Sequence, residues 1–344
     1  MVEKEKDSYI NQGTKNIAKP EELNFEELKN NNFKWTRKTL LSTKDLHVDE
    51  VEAIFHTAES LSEILTRKVK KVPALRGKVV INLFYEESTR TRSSFELAGK
   101  YLSSDVTNFS ISTSSVKKGE TLQDTAQTLI QMGADAVVIR HNVSGVPFQL
   151  AEYLPRNISI INAGDGSNEH PTQALLDLFT IRKHVPSLKN KKVVIVGDIL
   201  HSRVARSNIW LLQKFGTDIH VCGPPPLLPE SFKNYGVKVH WKLDDAIKDA
   251  DVIMTLRLQR ERQTTGLIPQ LDEYHRLYCL SHERLKLAKK NVKILHPGPI
   301  NRGVEITSEL ADDTNYSLIS DQVSNGVSIR MALLYLLIFA SVDS

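Results

Sequence analysis

At 344 residues, 40% of them hydrophobic and 25% charged, the chain has room for two ordinary globular domains, and its composition excludes a disordered or fibrous protein. The net charge of +4 is a mild excess spread along the chain, which argues against a nucleic-acid surface and suits anionic small molecules better. Cys222 and Cys279 lie in unrelated contexts without CxxC spacing, so neither a disulfide framework nor a zinc site is expected, and a reducing compartment is the default. The longest apolar run, 331–342, is shorter than the roughly 18 to 20 residues of a membrane span and is expected to be a buried terminal helix.

Residues 1–37 form a polar extension, loosely ordered or ending in a short helix, without an apolar signal-peptide core. An organelle-targeting segment upstream of Met1 stays open. Globular patterning begins at Leu40, and Val51, Ile54, Phe55, Ala58, Leu61 and Leu65 take helical spacing over 48–65. The mostly apolar, β-branched run 79–85 reads as a buried parallel strand. Ser88 or Thr89 then serves as N-cap of a helix through 101, with Phe95, Ala98 and Tyr101 or Leu102 on one stripe.

Unpaired N–H groups at that helix start, hydroxyls from Ser88, Thr89 and Thr91, and guanidinium groups from Arg90 and Arg92 make an anion site best suited to phosphate. The alternative is a capped helix with solvated arginines. The run 88–92, Ser-Thr-Arg-Thr-Arg, resembles the carbamoyl phosphate signature of the aspartate and ornithine transcarbamoylases.

A second strand is expected over 106–109, then a polar loop over 110–120 and an amphipathic helix over 121–132. Composition alone makes that loop a solvated surface loop. By the resemblance, Ser114 and Lys118 match a loop that reaches into a neighbouring subunit's site, which implies shared active sites and a homotrimer. The strand 136–139 ends at Arg140, where doubly wound sheets place ligands. Arg140 is either a surface pair or a second cation on the same substrate, and the resemblance puts it on the carbamoyl oxygen.

The strand 158–161 leads into a turn, 162–166, and His170-Pro171-Thr172-Gln173 opens a helix on whose first turn His170 and Gln173 share a face. A lone histidine there is more often a cap or a packing residue. The tetrad resembles the transcarbamoylase element that holds the carbamoyl oxygen and nitrogen. The helix to His184 leaves the first domain, and a lysine-rich connector over 186–192 precedes a second βα alternation with strands near 192–198, 218–221, 238–240, 251–255 and 292–295.

Gly197 stands without the further glycines of a dinucleotide fingerprint, so a dinucleotide is not expected. Arg203 fits the family position that pairs with a carboxylate of aspartate. Over 255–262, Thr-Leu-Arg-Leu-Gln-Arg-Glu-Arg is either a solvated loop or a fork for a carboxylate, with Arg257 and Gln259 on one side. It resembles the aspartate branch's Arg-x-Gln-x-Glu-Arg, and no Asp-x-x-x-Ser-Met-Gly run of the ornithine branch occurs. In His296-Pro297-Gly298-Pro299, prolines flanking glycine rigidify a loop whose carbonyls can accept from a ligand amide. Some aspartate transcarbamoylases carry leucine at the Gly298 position.

The chain is thus expected to be α/β, with two doubly wound parallel-sheet domains and a C-terminal helix, 322–342, returning to the first. The domains comprise 38–173 plus 322–344 for carbamoyl phosphate and 174–321 for aspartate. The resemblance, over about 40–342, implies transfer of the carbamoyl group of carbamoyl phosphate to the amine of L-aspartate in pyrimidine biosynthesis, in the cytoplasm, with no metal, nucleotide or other cofactor. Thr91, Arg140 and His170 would hold the oxyanion. Gln173, Gly298 and Pro299 would orient the carbamoyl NH2, while Ser88, Thr89, Arg90, Thr91, Ser114 and Lys118 hold phosphate. Lys118, Arg203, Arg257 and Gln259 would take the aspartate carboxylates. Glu86 would bridge to Arg203 or Arg262 as the domains close, the alternative being a local pair with Arg90 or Arg92. Two other readings stay open: an ornithine-type transcarbamoylase, and a non-catalytic phosphometabolite-binding homologue.

Overall fold

A computed structural model describes residues 34–110, 121–258 and 271–339, and the described residues from Trp35 onward belong to one compact unit. Two five-stranded sheets organise it, and every strand pair in both is parallel.

The first sheet contains β1 (Thr39–Leu40), β2 (Val79–Phe84), β3 (Asp105–Ser110), β4 (Ala136–His141) and β5 (Ser159–Asp165), in the order β1-β5-β4-β2-β3. From β2 the chain winds to β3 on one side and returns to β4 on the other. The switch point therefore lies between the carboxyl ends of β2 and β4, where Phe84 stands opposite Arg140. The second sheet contains β6 (Lys192–Val196), β7 (Asp218–Cys222), β8 (Lys238–His240), β9 (Val252–Thr255) and β10 (Lys293–Leu295), in the order β10-β9-β6-β7-β8. Its switch point lies between β6 and β9, with Val196 opposite Thr255.

Val80, Ile81, Leu83 and Phe84 of β2 and the apolar residues of β4 are buried, as the continuous apolar runs require of strands covered on both faces. The helices follow in chain order: α1 (Val48–Ser62), α2 (Thr89–Tyr101), α3 (Leu122–Gln131), α4 (Val146–Tyr153), α5 (Pro171–His184), α6 (Arg203–Gln213), α7 (Leu243–Ile247), α8 (Leu271–Tyr278), α9 (His282–Leu285), α10 (Ser308–Asp312) and α11 (Ile319–Ile338). The expected stripe of α1 is buried from Val51 to Leu61. At its start the Glu50 carboxylate accepts from the His47 N–H and is forked by Arg37. Gly99 lets α2 lie against β3, because a Cβ there would meet Val106 and Ser104.

Several elements differ from expectation, the first helix ending at Ser62 rather than at 65. The segment 162–165, read as a turn, continues β5, because β4 extends alongside it to pair His141 with Asp165. Cross-strand pairing there overrides the turn preference of Asn, Gly and Asp. The helix α4 was not expected from the pattern, and α11 begins at Ile319, ahead of Gln322.

α5 is buried from Pro171 to Ile181, on all sides, and packs on both α6 and α11. α11 in turn packs on α1 and α2, so the C-terminal helix returns to the first sheet's layer. There the Ser159 hydroxyl donates to the Leu337 carbonyl at 2.7 Å.

Candidate active site

A cavity of about 880 Å3 gathers the carboxyl-end loops of both sheets. Ser88, Thr89, Arg90 and Thr91 line it at the start of α2, where the strand-to-helix turn brings hydroxyls and N–H groups to one place. Ser88 holds the N-cap position, with φ −161° and ψ 95°, yet its hydroxyl makes no capping bond. The first turn of α2 is thus without a side-chain cap, the condition in which a helix N-terminus receives an anion.

Arg140, delivered beside this turn by the β2–β4 register, donates from Nη2 to Glu86 Oε1 at 3.0 Å and from Nη1 to the Ala163 carbonyl at 3.4 Å. Glu86 also receives a fork from Arg203 at the start of α6. Nη1 lies 2.9 Å from Oε2 and Nη2 lies 2.7 Å from Oε1. Arg203 is only 5% exposed, and its Nη1 also donates to the Gly166 carbonyl. The Glu86 carboxylate thus binds one arginine from each sheet's layer.

His170 precedes α5, and its backbone N–H donates to Ser207 Oγ at 2.8 Å. One turn on, Gln173 lines the cavity while its Nε2 donates to the Asp177 carboxylate at 2.9 Å. Asp177 is fully enclosed. Burial pushes its carboxyl up to about 6, against the pull of amides from Asn208, Gln322 and Gln173 and the charge of Arg330.

From the second sheet come Arg257, two residues past β9, and the loop from His296 to Pro299 past β10. The Glu305 carboxylate pins both loops, accepting from the Leu258 N–H at 3.1 Å and from the Asn301 N–H and Nδ2 at 2.9 and 2.7 Å. Burial raises the pKa of Glu305. His296 Nδ1 accepts from the Gly298 N–H at 2.8 Å. Its imidazole is driven down to about 3, first by burial and then by the charges of Arg90 and Arg257. It is therefore neutral, and its 4.0 Å approach to Glu305 is no ion pair. The Gly298–Pro299 peptide is cis, and Gly298 has φ +66°. A Cβ on Gly298 would overlap the Arg90 guanidinium, so glycine lets Arg90 lie over this loop.

Among the described residues, the structure brings Glu86, Ser88, Thr89, Arg90, Thr91, Arg140, His170, Gln173, Arg203, Arg257, Gly298 and Pro299 to this one cavity. Ser114, Lys118, Gln259 and Arg262 lie outside the described residues. Sequence reasoning missed His296, Gln322 and Arg330, which also line the cavity, and Asp177 behind it. Arg330 is wholly buried, stacks 5.1 Å from the Phe95 ring and has its pKa lowered by burial to about 10. The available signal was an arginine inside an apolar helix, a place where a charge needs a reason. Among the described lining residues, five arginines, 90, 140, 203, 257 and 330, stand with two carboxylates, Glu86 and Glu87, a cationic balance that suits a multiply charged anion.

The family model described as the aspartate/ornithine carbamoyltransferase carbamoyl-P binding domain matches residues 38–183, and the corresponding Asp/Orn binding domain matches 189–337. The chain is 57% identical over 307 residues to the aspartate carbamoyltransferase catalytic subunit of Syntrophomonas wolfei, covering 89% of this chain and 97% of the relative. It is 54% identical over 315 residues to that of Thermosynechococcus vestitus, covering 89% and 95%. Among solved structures it resembles Trypanosoma cruzi aspartate transcarbamoylase in complex with carbamoyl aspartate and phosphate, at 29% identity and a TM-score of 0.78, with 88% of this chain and 97% of that one covered. The ornithine carbamoyltransferase of Pyrococcus furiosus is similar at 28% identity and a TM-score of 0.78, with 89% and 98% covered. With both family models matched in order and the relatives aligned along nearly the whole fold, the chain belongs to the aspartate/ornithine carbamoyltransferase family.

Proposed function

We propose that the protein is an aspartate carbamoyltransferase, joining carbamoyl phosphate and L-aspartate to give N-carbamoyl-L-aspartate and phosphate in pyrimidine biosynthesis. The observation that carries this reading is the convergence of an uncapped, hydroxyl-rich helix start with arginines from both sheets on one cavity. It fits one phosphate and two carboxylates. The curated relatives named above support aspartate as the amine.

The neutral α-amine of aspartate attacks the carbamoyl carbon, forming the C–N bond and a tetrahedral intermediate whose oxygen carries charge. The carbon–oxygen bond to phosphate then breaks, and the departing phosphate takes the amine proton. Thr91, Arg140 and His170 hold the oxyanion, a role in which one fixed donor contributes about 3 kcal/mol. Gln173 and the carbonyls of Gly298 and Pro299 orient the NH2. Ser88, Thr89, Arg90 and Thr91 hold the phosphate, and Arg203 and Arg257 take carboxylates, joined by Gln259. Residues 38–173 with 322–344 form the carbamoyl phosphate domain and 174–321 the aspartate domain. Glu86, paired with Arg203 and Arg140, bridges to Arg203 or Arg262 across the cleft as the two close over the reactants.

Ser114 and Lys118 come from a neighbouring subunit of a homotrimer working in the cytoplasm. No described helix is long and apolar enough to cross a membrane. Mixing inactive Lys118→Ala and inactive Arg257→Ala proteins after subunit dissociation tests this arrangement. Regained N-carbamoyl-aspartate formation supports both the reaction and the shared site. A mixture that stays dead despite measured exchange removes the shared site, and an inert wild type removes the reaction. The likeness to an ornithine enzyme at an equal TM-score makes L-ornithine the control amine.

A further inference from the structure

Asp177 is fully buried on α5, one turn beyond Gln173, and does not itself line the cavity. Three amide side chains converge on its carboxylate. Oδ1 accepts from Gln173 Nε2 at 2.9 Å and from Gln322 Nε2 at 2.7 Å, and Oδ2 accepts from Asn208 Nδ2 at 2.9 Å. A carboxylate only accepts, so each amide must turn its NH2 toward Asp177 and its carbonyl away. The two ends of a glutamine amide are nearly isosteric, and packing alone does not choose between them. A charge does.

The consequence differs for the two glutamines. Gln322 Oε1 accepts from the His296 N–H at 2.9 Å, which ties the head of the 296–299 loop to the same carboxylate. Gln173 lines the cavity, and with its Nε2 given to Asp177 the amide oxygen is the end left for a ligand.

We propose that Asp177 is a positioning residue for the carbamoyl NH2: it holds Gln173 with its oxygen toward the substrate and, through Gln322, fixes the loop whose carbonyls accept beside it. This rests on the carbamoyl-transfer reading above and extends it. The Arg330 guanidinium opposes the burial penalty on the carboxyl, which helps keep it ionised above pH about 6. With Asp177 removed, Gln173 is free to present a donor to a donor, and the site loses its preference for an amide over a methyl group while its grip on phosphate stays.

Acetyl phosphate, in which methyl replaces the carbamoyl NH2, separates these effects. KM for carbamoyl phosphate and the competitive Ki of acetyl phosphate are measured for wild type, Asp177→Leu, Gln173→Ala and the double variant, with N-carbamoyl-L-aspartate as product. The ratio of Ki to KM is expected to fall about tenfold in Asp177→Leu, as when a site's buried acceptors lose their partner, with Ki itself changed less than about twofold. The double variant should lose no more than Gln173→Ala alone. Asp177→Ser carries the same expectation should the leucine variant not fold. An unchanged ratio, a parallel weakening of both ligands, or additive losses in the double variant overturns the inference while wild-type turnover keeps the reaction. A wild type forming no product overturns both.

Discussion

Arg203 and Glu86, 117 residues apart in sequence, meet in a forked ion pair with both distances below 3.0 Å. One stands at the start of α6 beyond the second sheet's first strand, the other in the turn after β2. Arg140 shares the same carboxylate. Both arginines are candidate substrate ligands, so Glu86 holds each of them near the cavity before an anion arrives.

Glu86→Gln should therefore keep the fold and lose function. Its side chain is about a quarter exposed, while that of Arg203 is only 6% exposed and would keep the Gly166 carbonyl as a partner. A fall in kcat of at least about tenfold, with circular dichroism and melting temperature near wild type, is expected from misplaced arginines. An unchanged kcat would reduce the pair to a local contact.

Gly298→Ala introduces a Cβ into the space of the Arg90 guanidinium at a backbone φ of +66°. Arg90 is exposed and can swing aside, so the variant should fold, at a cost of about 1 kcal/mol for the left-handed conformation. Because the displaced group is an anion ligand, KM for carbamoyl phosphate should rise severalfold while KM for aspartate moves less. Steady-state kinetics with each substrate varied decides it, and equal rises would implicate the whole loop instead.

His296 bears on acid stability. Its folded pKa of about 3 lies below the ordinary 6.5, so its contribution is present above pH about 6.5 and is lost as pH falls toward 3. Between pH 7.5 and pH 5 the wild type should lose about 2 kcal/mol through this group. In His296→Asn, whose amide oxygen can still accept from the Gly298 N–H, the loss should be correspondingly smaller. Reversible urea unfolding at the two pH values measures both slopes, and parallel slopes would rule the histidine out.

Arg330→Met tests the buried guanidinium. Its charge offsets that of the buried Asp177 carboxylate, and removing one member of such a pair leaves the other uncompensated. The melting temperature should fall at pH 7. Arg330 lines the cavity close enough to Arg140 for their charges to interact, so affinity for inorganic phosphate should fall severalfold. Calorimetric titration with phosphate reads this directly, and unaltered affinity would leave Arg330 a packing residue.

The sequence by itself determined the alternation of strands and helices, because buried parallel strands demand largely apolar runs such as 79–84, broken only by Asn82, and 193–196. It also determined the anion-binding turn, because Ser88, Thr89, Arg90 and Thr91 are neighbours in the chain and a helix start presents them together. What only the tertiary structure decided is contact between groups far apart in sequence. The strand orders place Arg140 beside Phe84, β4 pairing carries β5 through a segment that locally reads as a turn, and α11 brings Gln322 and Arg330 to a site begun some two hundred residues earlier. Asp177 shows the difference most plainly. In the sequence it is one acidic residue on an apolar helix, and the charge acquires a purpose only where three amides from three helices close around it. Hydrophobic period and helix-start chemistry are local and can be read along the chain; the partner of a buried charge is set by packing, which no local pattern records.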